Sequence, residues 1–271
     1  MMNRETLLNE VGKVAESAGR AILAIYGEPE RWAVQQKVDD SPLTAADLAA
    51  HRLIVEELHR LTPTIPVLSE ESEDHSGRRD WSRLWVVDPL DGTREFVART
   101  NDFTVNIALV ENGEAILGVM HAPVYGMTYL AARGLGAWRQ DGQRRERIGT
   151  TVTMSPPRLL LSRHHRSGAE DAVLAAVKAR FGDCSVLQVG SAFKMCRVAE
   201  GAADFYPRFG KTMEWDTAAG QILLEEAGGL LVDHDGRPLR YNERDTLVNP
   251  PFLVVGERAR LPEWLSVLSA A

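Results

Sequence analysis

Hydrophobic residues near the start of the chain recur at steps of three and four, which predicts an amphipathic helix. They are Leu7, Val11, Val14, Ala18, Ile22 and Ile25. Gly27 and Pro29 come directly afterwards, and these residue types commonly end a helix. A second helix is predicted from Thr44 to about Leu61, where Pro63 closes the pattern.

Short apolar runs and alternating positions then predict a sheet. Its strands should be buried or half-buried, because the runs are bounded by breakers and the later ones alternate with small or polar residues. Asn112-Gly113 is a strong hairpin signal within this region. The predicted strands are Ile65 to Ser69, Leu84 to Val87, Phe103 to Leu109, Ala115 to Met120, Thr128 to Ala131 and Ala137 to Gln140.

From about residue 157 the pattern changes to alternating strands and helices, which indicates an α/β layer. The basic stretch Gly142 to Thr151 is predicted to join the two parts. The fold class is therefore α/β, with an α+β half at residues 1–150 and an α/β half at residues 151–271. The predicted elements of the second half are strands at Leu159 to Leu161, Val186 to Val189 and Phe252 to Val255, and helices at Ala169 to Arg180, Ala192 to Glu200 and Asp216 to Ala227.

Composition narrows the class of protein. The chain has 271 residues, of which 44% are hydrophobic and 25% charged, as in an average globular protein. Apolar runs such as Ala21 to Tyr26 are far shorter than the about 20 residues of a membrane-spanning helix. A net charge of −7 argues against nucleic acid as a partner. Cys184 and Cys196 are too few for a disulfide framework, which favours the cytoplasm.

The strongest candidate for chemistry is the segment from Asp88 to Thr93, which follows a buried strand. Pro89 should end that strand and turn the chain, bringing Asp91 and the carbonyl of Leu90 close to Asp88. Oxygen ligands suit hard cations such as Mg²⁺, and the N–H groups of a helix beginning near Thr93 suit a phosphate. The segment therefore predicts a combined metal and phosphate site.

Asp91 and Thr93, like other charged residues of the chain that could serve chemistry, also have a purely structural interpretation. Asp91 and Thr93 could only cap a helix, and Thr44 to Asp47 fits a capping box. Asp216 could only complement the dipole of a helix. Glu70 and Glu71 could be solvated surface acids, the interpretation we favour for Glu71, and Lys194 and Arg208 would ordinarily be surface cations.

The two motifs together resemble the inositol monophosphatase superfamily of metal-dependent, lithium-sensitive phosphatases. They are Asp88-Pro89-Leu90-Asp91-Gly92-Thr93 and Trp215-Asp216-Thr217-Ala218-Ala219-Gly220. Other stretches resemble the 3′(2′),5′-bisphosphate nucleotidases of CysQ type within it. These are Asp40 to Asp47, Leu68 to Glu71, Gly92 to Phe96 and Tyr206 to Gly210. The resemblance implies a five-layer α/β/α/β/α sandwich.

The resemblance also assigns roles to single residues. Glu70, Asp88, Asp91 and Asp216 would bind two or three Mg²⁺ ions through their side chains, and Leu90 through its carbonyl. Asp47 and Thr93 would activate the attacking water, so that Asp47 both caps and catalyses. The residues implied to contact the substrate are Glu70, Leu90, Asp91, Gly92, Thr93, His165, Ser191, Lys194, Arg208 and Asp216, with His164 replacing His165 if the match slips by one position.

The activity implied is removal of the 3′-phosphate from adenosine 3′,5′-bisphosphate, and from its phosphosulfate analogue, in sulfur metabolism. The resemblance is compatible with peripheral association with the inner membrane and does not define an oligomeric state. Two alternatives stay open. One is an inositol monophosphatase or fructose 1,6-bisphosphatase, and the other is a phosphometabolite sensor without catalysis, against which the water-activating pair Asp47 and Thr93 argues.

Overall fold

The structure is a computed structural model that describes residues 2–36, 42–152, 155–163 and 168–270. His164 and His165 therefore lie outside the described residues, as do Asp40 and Ser41 of the first stretch similar to the nucleotidases. The α-helices of the described residues are α1 (Arg4–Tyr26), α2 (Ala45–Leu61), α3 (Thr93–Val97), α4 (Gly168–Phe181), α5 (Phe193–Ala199), α6 (Glu214–Ala227) and α7 (Leu261–Ser269).

A seven-stranded sheet forms the core of the first half of the chain. Its first two strands are parallel, and every later neighbour is antiparallel, as expected for a meander joined by short turns. In spatial order its strands are β3 (Val67–Ser69), β4 (Arg83–Asp91), β5 (Thr104–Glu111), β6 (Glu114–Ala122), β7 (Met127–Ala132), β8 (Gly136–Asp141) and β9 (Arg144–Ile148). A separate two-stranded ribbon precedes it, formed by β1 (Gln35–Gln36) and β2 (Pro42–Leu43).

Strand β4 does not end at Asp88, so that part of the prediction was wrong. The strand continues to Asp91, and the pairing with β5 shifts register between Asp88 and Asp91. Pro89 lacks the N–H of a regular ladder, and prolines within sheets are tolerated at such irregularities. The irregularity keeps Asp88 and Asp91 close together, as predicted, and the backbone N–H of Leu90 donates to Asp88 Oδ1 at 3.1 Å.

A second sheet of five strands forms from the later part of the described chain. Two of its neighbouring pairs are parallel and two are antiparallel. In spatial order the strands are β11 (Ser185–Val189), β10 (Arg158–Ser162), β12 (Phe205–Arg208), β14 (Phe252–Val255) and β13 (Leu230–Asp233).

The two sheets and their helices form five layers. Helices α1 and α2 cover one face of the seven-stranded sheet, in a core that includes Ile22, Ile54 and Val87. Helices α5 and α6 lie between the two sheets, and α4 and α7 cover the far face of the smaller sheet around Trp264. This arrangement confirms the predicted α/β class and the α/β/α/β/α sandwich.

The central helix α6 lies unusually close to the larger sheet. At Gly118 of β6, an added Cβ would lie 2.6 Å from the carbonyl oxygen of Ala219 and 2.5 Å from a methyl group of Ile222. Only a glycine therefore permits this approach without a shift of the helix. Since α6 begins at Glu214, its packing on β6 determines where Asp216 lies.

Several short elements were missed by the sequence analysis. Strand β9 lies within the stretch predicted to be the junction, although a domain boundary near residue 150 stays a prediction. Strand β12 contains Pro207, which obscured its pattern, and β13 has only four residues. Helix α7 begins with a proline in its first turn and buries Trp264 and Val267, both in a region that the analysis left unassigned.

Candidate active site

One cleft, of about 360 Å³, contains nearly all of the predicted site residues. It lies where the end of β4 and the start of α3 face the loop before α5, strand β12 and the start of α6. The predicted residues that line it are Glu70, Asp88, Leu90, Asp91, Gly92, Thr93, Ser191, Lys194, Arg208 and Asp216. Asp47 lies behind this lining and reaches it through Thr93.

Three carboxylates form one wall of the cleft. Asp88, Asp91 and Asp216 each offer an oxygen, and these oxygens all lie within 4.8 Å of one another. Asp88 is buried at the register shift of β4, while Asp91 and Asp216 are partly exposed. An all-oxygen donor set is the kind that hard divalent cations prefer. The cluster can therefore hold a metal ion.

The raised pKa values of these three carboxylates also favour a bound cation. Burial, together with the charge of Glu70 and then of the neighbouring aspartates, raises the pKa of Asp88 well above its usual value. Burial and the charges of Asp91 and Glu70 do the same to the pKa of Asp216. Burial raises the pKa of Asp91 to about 6, although a hydrogen bond from the backbone N–H of Ala192 opposes this shift. These carboxylates repel one another, and a bound cation would relieve that repulsion.

Asp47 has two hydrogen-bonding roles at once. Its Oδ2 accepts from the backbone N–H of Thr44 at 2.8 Å and from the Thr44 hydroxyl at 2.6 Å, which is the predicted capping box of α2. Its Oδ1 accepts from the hydroxyl of Thr93 at 3.0 Å. Burial raises the pKa of Asp47 to about 6, although the hydrogen bonds from Thr44 oppose this shift. The cap thus orients the carboxylate toward Thr93.

Two basic residues, Lys194 and Arg208, also line the cleft, and we call them its basic wall. Lys194 is buried, and its Nζ donates to the carbonyl of Ser191 at 2.7 Å and to that of Val189 at 3.3 Å. Burial and the neighbouring Arg208 lower the pKa of Lys194 to about 8. Arg208 is also buried, and one terminal nitrogen of its guanidinium donates to the carbonyl of Lys211 at 3.1 Å. Its Nε has no hydrogen-bond partner among the described residues.

Comparison with known proteins now decides the family. The model of the inositol monophosphatase family matches residues 3–263 of the chain. The chain belongs to the inositol monophosphatase family. The family resemblance of its two motifs is therefore confirmed, and residues of both motifs line the cleft described above.

Three proteins of this family illustrate what the chain is similar to. The 3′(2′),5′-bisphosphate nucleotidase CysQ of Escherichia coli K12 is 45% identical over 251 residues, which cover 92% of this chain and 99% of that protein. The nucleotidase CysQ of Haemophilus influenzae is 37% identical over 268 residues, 97% of each chain. The crystal structure of CysQ from Bacteroides thetaiotaomicron superposes with a TM-score of 0.83 at 38% identity, covering 94% of this chain and 98% of that one.

Other members share the fold at lower identity. The IMPase of Thermotoga maritima superposes with a TM-score of 0.79 at 27% identity, and the alignment covers 95% of this chain and 94% of that one. None of the helices among the described residues combines the length and the apolar character that crossing a bilayer requires.

The cleft also contains family-motif residues to which the sequence analysis gave no role. Arg94 and Glu95 lie on α3 directly after Thr93, and Tyr206 lies beside Arg208 on β12. The Nζ of Lys194 lies 5.1 Å from the centre of the Tyr206 ring, so the ammonium group packs over the face of this tyrosine. All three residues fall inside stretches quoted for the resemblance, and adjacency to the assigned residues was the signal that could have identified them.

Proposed function

We propose that this chain is a Mg²⁺-dependent phosphatase that hydrolyses the 3′-phosphate of adenosine 3′,5′-bisphosphate to give AMP and phosphate. The observation that carries the proposal is the pairing of an acidic wall with a second, basic wall in one cleft. The relatives named nucleotidases, at 45% and 37% identity, support the same substrate. The phosphosulfate analogue has the same 3′-phosphate and is proposed as a further substrate.

The acidic wall would hold the cations. Asp88, Asp91 and Asp216, with Glu70 and the carbonyl of Leu90, are the proposed ligands of two or three Mg²⁺ ions. When bound, Mg²⁺ neutralises phosphate charge and lowers the pKa of water. The half-buried backbone at Gly92 and Thr93, which line the cleft, would receive the phosphate at the start of α3.

Asp47 and Thr93 are the proposed catalytic pair. The Thr93 hydroxyl donates its proton to Asp47, so its lone pairs remain to accept a hydrogen bond from the attacking water. Because Thr44 occupies the other oxygen of Asp47, the carboxylate cannot turn away from Thr93 without breaking its cap. The water oxygen would bond to phosphorus as the bond to the ribose 3′-oxygen breaks, its proton would pass through the Thr93 hydroxyl to Asp47, and the leaving oxygen would take a proton from solvent.

The basic wall would bind the phosphate that is not cleaved. Lys194 and Arg208 carry the charges, and the unpartnered Nε of Arg208 is a buried donor that a phosphate oxygen would satisfy. Ser191 stands between the two walls, next to Gly92. His165 was predicted to contact the nucleotide, and that prediction stays untested. The predicted cytoplasmic location rests on the two free cysteines.

A substrate panel tests the proposal. We expect kcat/KM for adenosine 3′,5′-bisphosphate to exceed that for inositol 1-phosphate by at least ~100-fold, since two charge-assisted contacts contribute ~1.5–3 kcal/mol each. Arg208→Ala should reduce this preference and leave hydrolysis of inositol 1-phosphate nearly unchanged. Arg208→Lys keeps the charge but not the guanidinium fork, so it should fall between the two.

Arg52→Ala is the matched control, because Arg52 is an exposed arginine of α2 that does not line the cleft. It should leave the preference unchanged. Equal efficiency on both substrates in the unmodified protein would instead favour an inositol monophosphatase. Binding of the bisphosphate without phosphate release, with Mg²⁺ present, would favour a sensor.

A further inference from the structure

The loop before α5, residues 190–192, contacts the acidic wall at Asp91. The backbone N–H of Ala192 donates to Asp91 Oδ2. An added Cβ on Gly92 would lie 2.9 Å from the Cβ of Ser191, so the loop packs directly on the segment after Asp91. The carbonyl of Ser191 also accepts from Lys194 at 2.7 Å. The position of this loop therefore affects both walls of the cleft.

The backbone of this loop is strained at Ser191, whose hydroxyl accepts a local hydrogen bond from the N–H of Phe193 at 3.1 Å. Ser191 has a φ of 51°, in the left-handed region that non-glycine residues rarely adopt. Such a conformation persists only where the surrounding structure enforces it. Gly190 has no room for a side chain, because an added Cβ would lie 2.4 Å from the Cγ of Glu95.

Asp102 supplies one of the contacts that hold this loop in place. It is only 4% exposed, and its Oδ2 accepts from the backbone N–H of Gly190 at 3.0 Å. The same oxygen accepts from Arg163 at 2.8 Å, and Oδ1 accepts from the hydroxyl of Tyr125 at 2.8 Å. Asp102 does not line the cleft, and neither wall includes it.

We propose that Asp102 is a positioning residue, which holds loop 190–192 so that Ala192 orients Asp91 and Ser191 orients Lys194. A carboxylate is the side chain suited to this, because it accepts three donors at once and a charged acceptor strengthens each bond. The inference rests on the proposed function in one respect, namely that Asp91 binds a divalent cation and Lys194 an anionic part of the substrate.

The test measures cation binding without substrate. Calorimetric titration of the metal-free protein with Mg²⁺ should show that Asp102→Ala raises the dissociation constant by ~10–100-fold, the usual effect of losing an outer contact of a ligand. KM for the bisphosphate should also rise, because Lys194 is displaced. Asp102→Asn keeps an acceptor for Gly190, so it should restore most of the affinity.

Two matched controls remove the other contacts of Asp102 and leave the one to Gly190. Arg163→Ala deletes the ion pair, and Tyr125→Phe deletes the hydrogen bond to Oδ1. Both should bind Mg²⁺ within ~3-fold of the unmodified protein, even where they lower the melting temperature. If Asp102→Ala does not fold, Asp102→Ser takes its place in the series.

Two results would overturn the inference. One is an Asp102→Ala protein that melts at a lower temperature but binds Mg²⁺ within ~3-fold of the unmodified protein, which would make Asp102 merely stabilising. The other is an Asp102→Asn protein as weak as Asp102→Ala. Failure of the proposed function is distinguishable, because it would appear in the unmodified protein as absent Mg²⁺ binding or absent turnover.

Discussion

Helices α2 and α6 begin with the same capping hydrogen bond, but the aspartate that makes it has different neighbours in the two helices. In each, the third residue is an aspartate whose carboxylate accepts the backbone N–H of the residue before the helix, Thr44 for Asp47 and Met213 for Asp216, both at 2.8 Å. Asp47 is otherwise surrounded by the hydroxyls of Thr44 and Thr93, whereas Asp216 lies among carboxylates. Under the proposed function, the same local motif gives a proton acceptor in one place and a cation ligand in the other.

Capping a helix and taking part in chemistry are thus compatible roles for one residue. A carboxylate has two oxygens, and a cap occupies only one of them. The cap fixes the direction of the second oxygen, and the neighbours of that oxygen determine what it can do. Four experiments test whether the two carboxylates differ in this way, and the expected effects decline from the first to the last.

Asp216→Asn should have the largest effect. Asparagine can still accept from the N–H of Met213, so α6 keeps its cap, but one charge of the acidic cluster is lost. We expect Mg²⁺ affinity to fall by more than ~100-fold and turnover to fall with it. In the presence of a chelator the variant should melt at a higher temperature than the unmodified protein, because one like charge has been removed. Unchanged Mg²⁺ affinity in calorimetry would contradict the cation-ligand role.

Thr93→Ala should lower kcat by ~10²-fold or more while Mg²⁺ affinity stays nearly intact, as expected for loss of help with proton transfer. Asp47→Asn should behave similarly, and the double variant should be little worse than either single one, because the two residues act as a unit. A Thr93→Ala enzyme with raised KM and unchanged kcat would show that Thr93 positions the phosphate instead.

The stabilisation by Mg²⁺ should grow with pH. In the folded protein burial raises the pKa of Asp91 from 3.8 to about 6, so without cations the folded state holds protons that the unfolded state has released. Stability of the chelated protein therefore declines as pH rises from about 4 to above 6. Mg²⁺ binds the ionised form and removes this loss, which amounts to about 1.4 kcal/mol for each pKa unit.

The measurement is the gain in melting temperature on adding Mg²⁺, compared between pH 5 and pH 8. Taking the difference with and without Mg²⁺ cancels groups remote from the site, such as His121, whose pKa burial lowers to about 4. A gain that does not change over this range would argue against repulsion within the cluster.

Thr44→Ala should have the smallest effect. It removes the hydroxyl from the cap of α2 but leaves the backbone N–H that holds Asp47. We expect the free energy of unfolding to fall by about 1 kcal/mol, measured by denaturant titration, and kcat to change by less than ~10-fold. A loss of kcat as large as that of Thr93→Ala would mean that the hydroxyl of Thr44 belongs to the catalytic pair.

Elements with long, regular patterns could be predicted from the sequence. Helix α1 and helix α2 were placed within a few residues of their bounds, because each repeats its apolar positions over several turns. Strand β12 was missed, because four residues with a proline and an arginine have no apolar alternation. Its buried Arg208 donates to the hydroxyl of Ser162, 46 residues away in the chain, a contact that no local pattern records.

The site was predictable where motif residues were contiguous. Asp88 to Thr93 brought carboxylates and a helix start together within one segment, whereas Glu70, Lys194 and Arg208 required a family resemblance to join them to it. Spacing alone favoured a pure cap for Asp47, because its second partner, Thr93, is distant in the chain. Asp102 was not anticipated at all, since its partners come from three separate loops.

The central position of α6 has a consequence for how the protein is made. Asp88 and Asp91 are synthesised more than 120 residues before Asp216, which reaches them only through the packing of α6 over Gly118 of β6. Contacts so distant in sequence form late and slowly. A nascent chain that ends before α6 lacks the proposed ligand Asp216, so we expect it to bind cations only weakly.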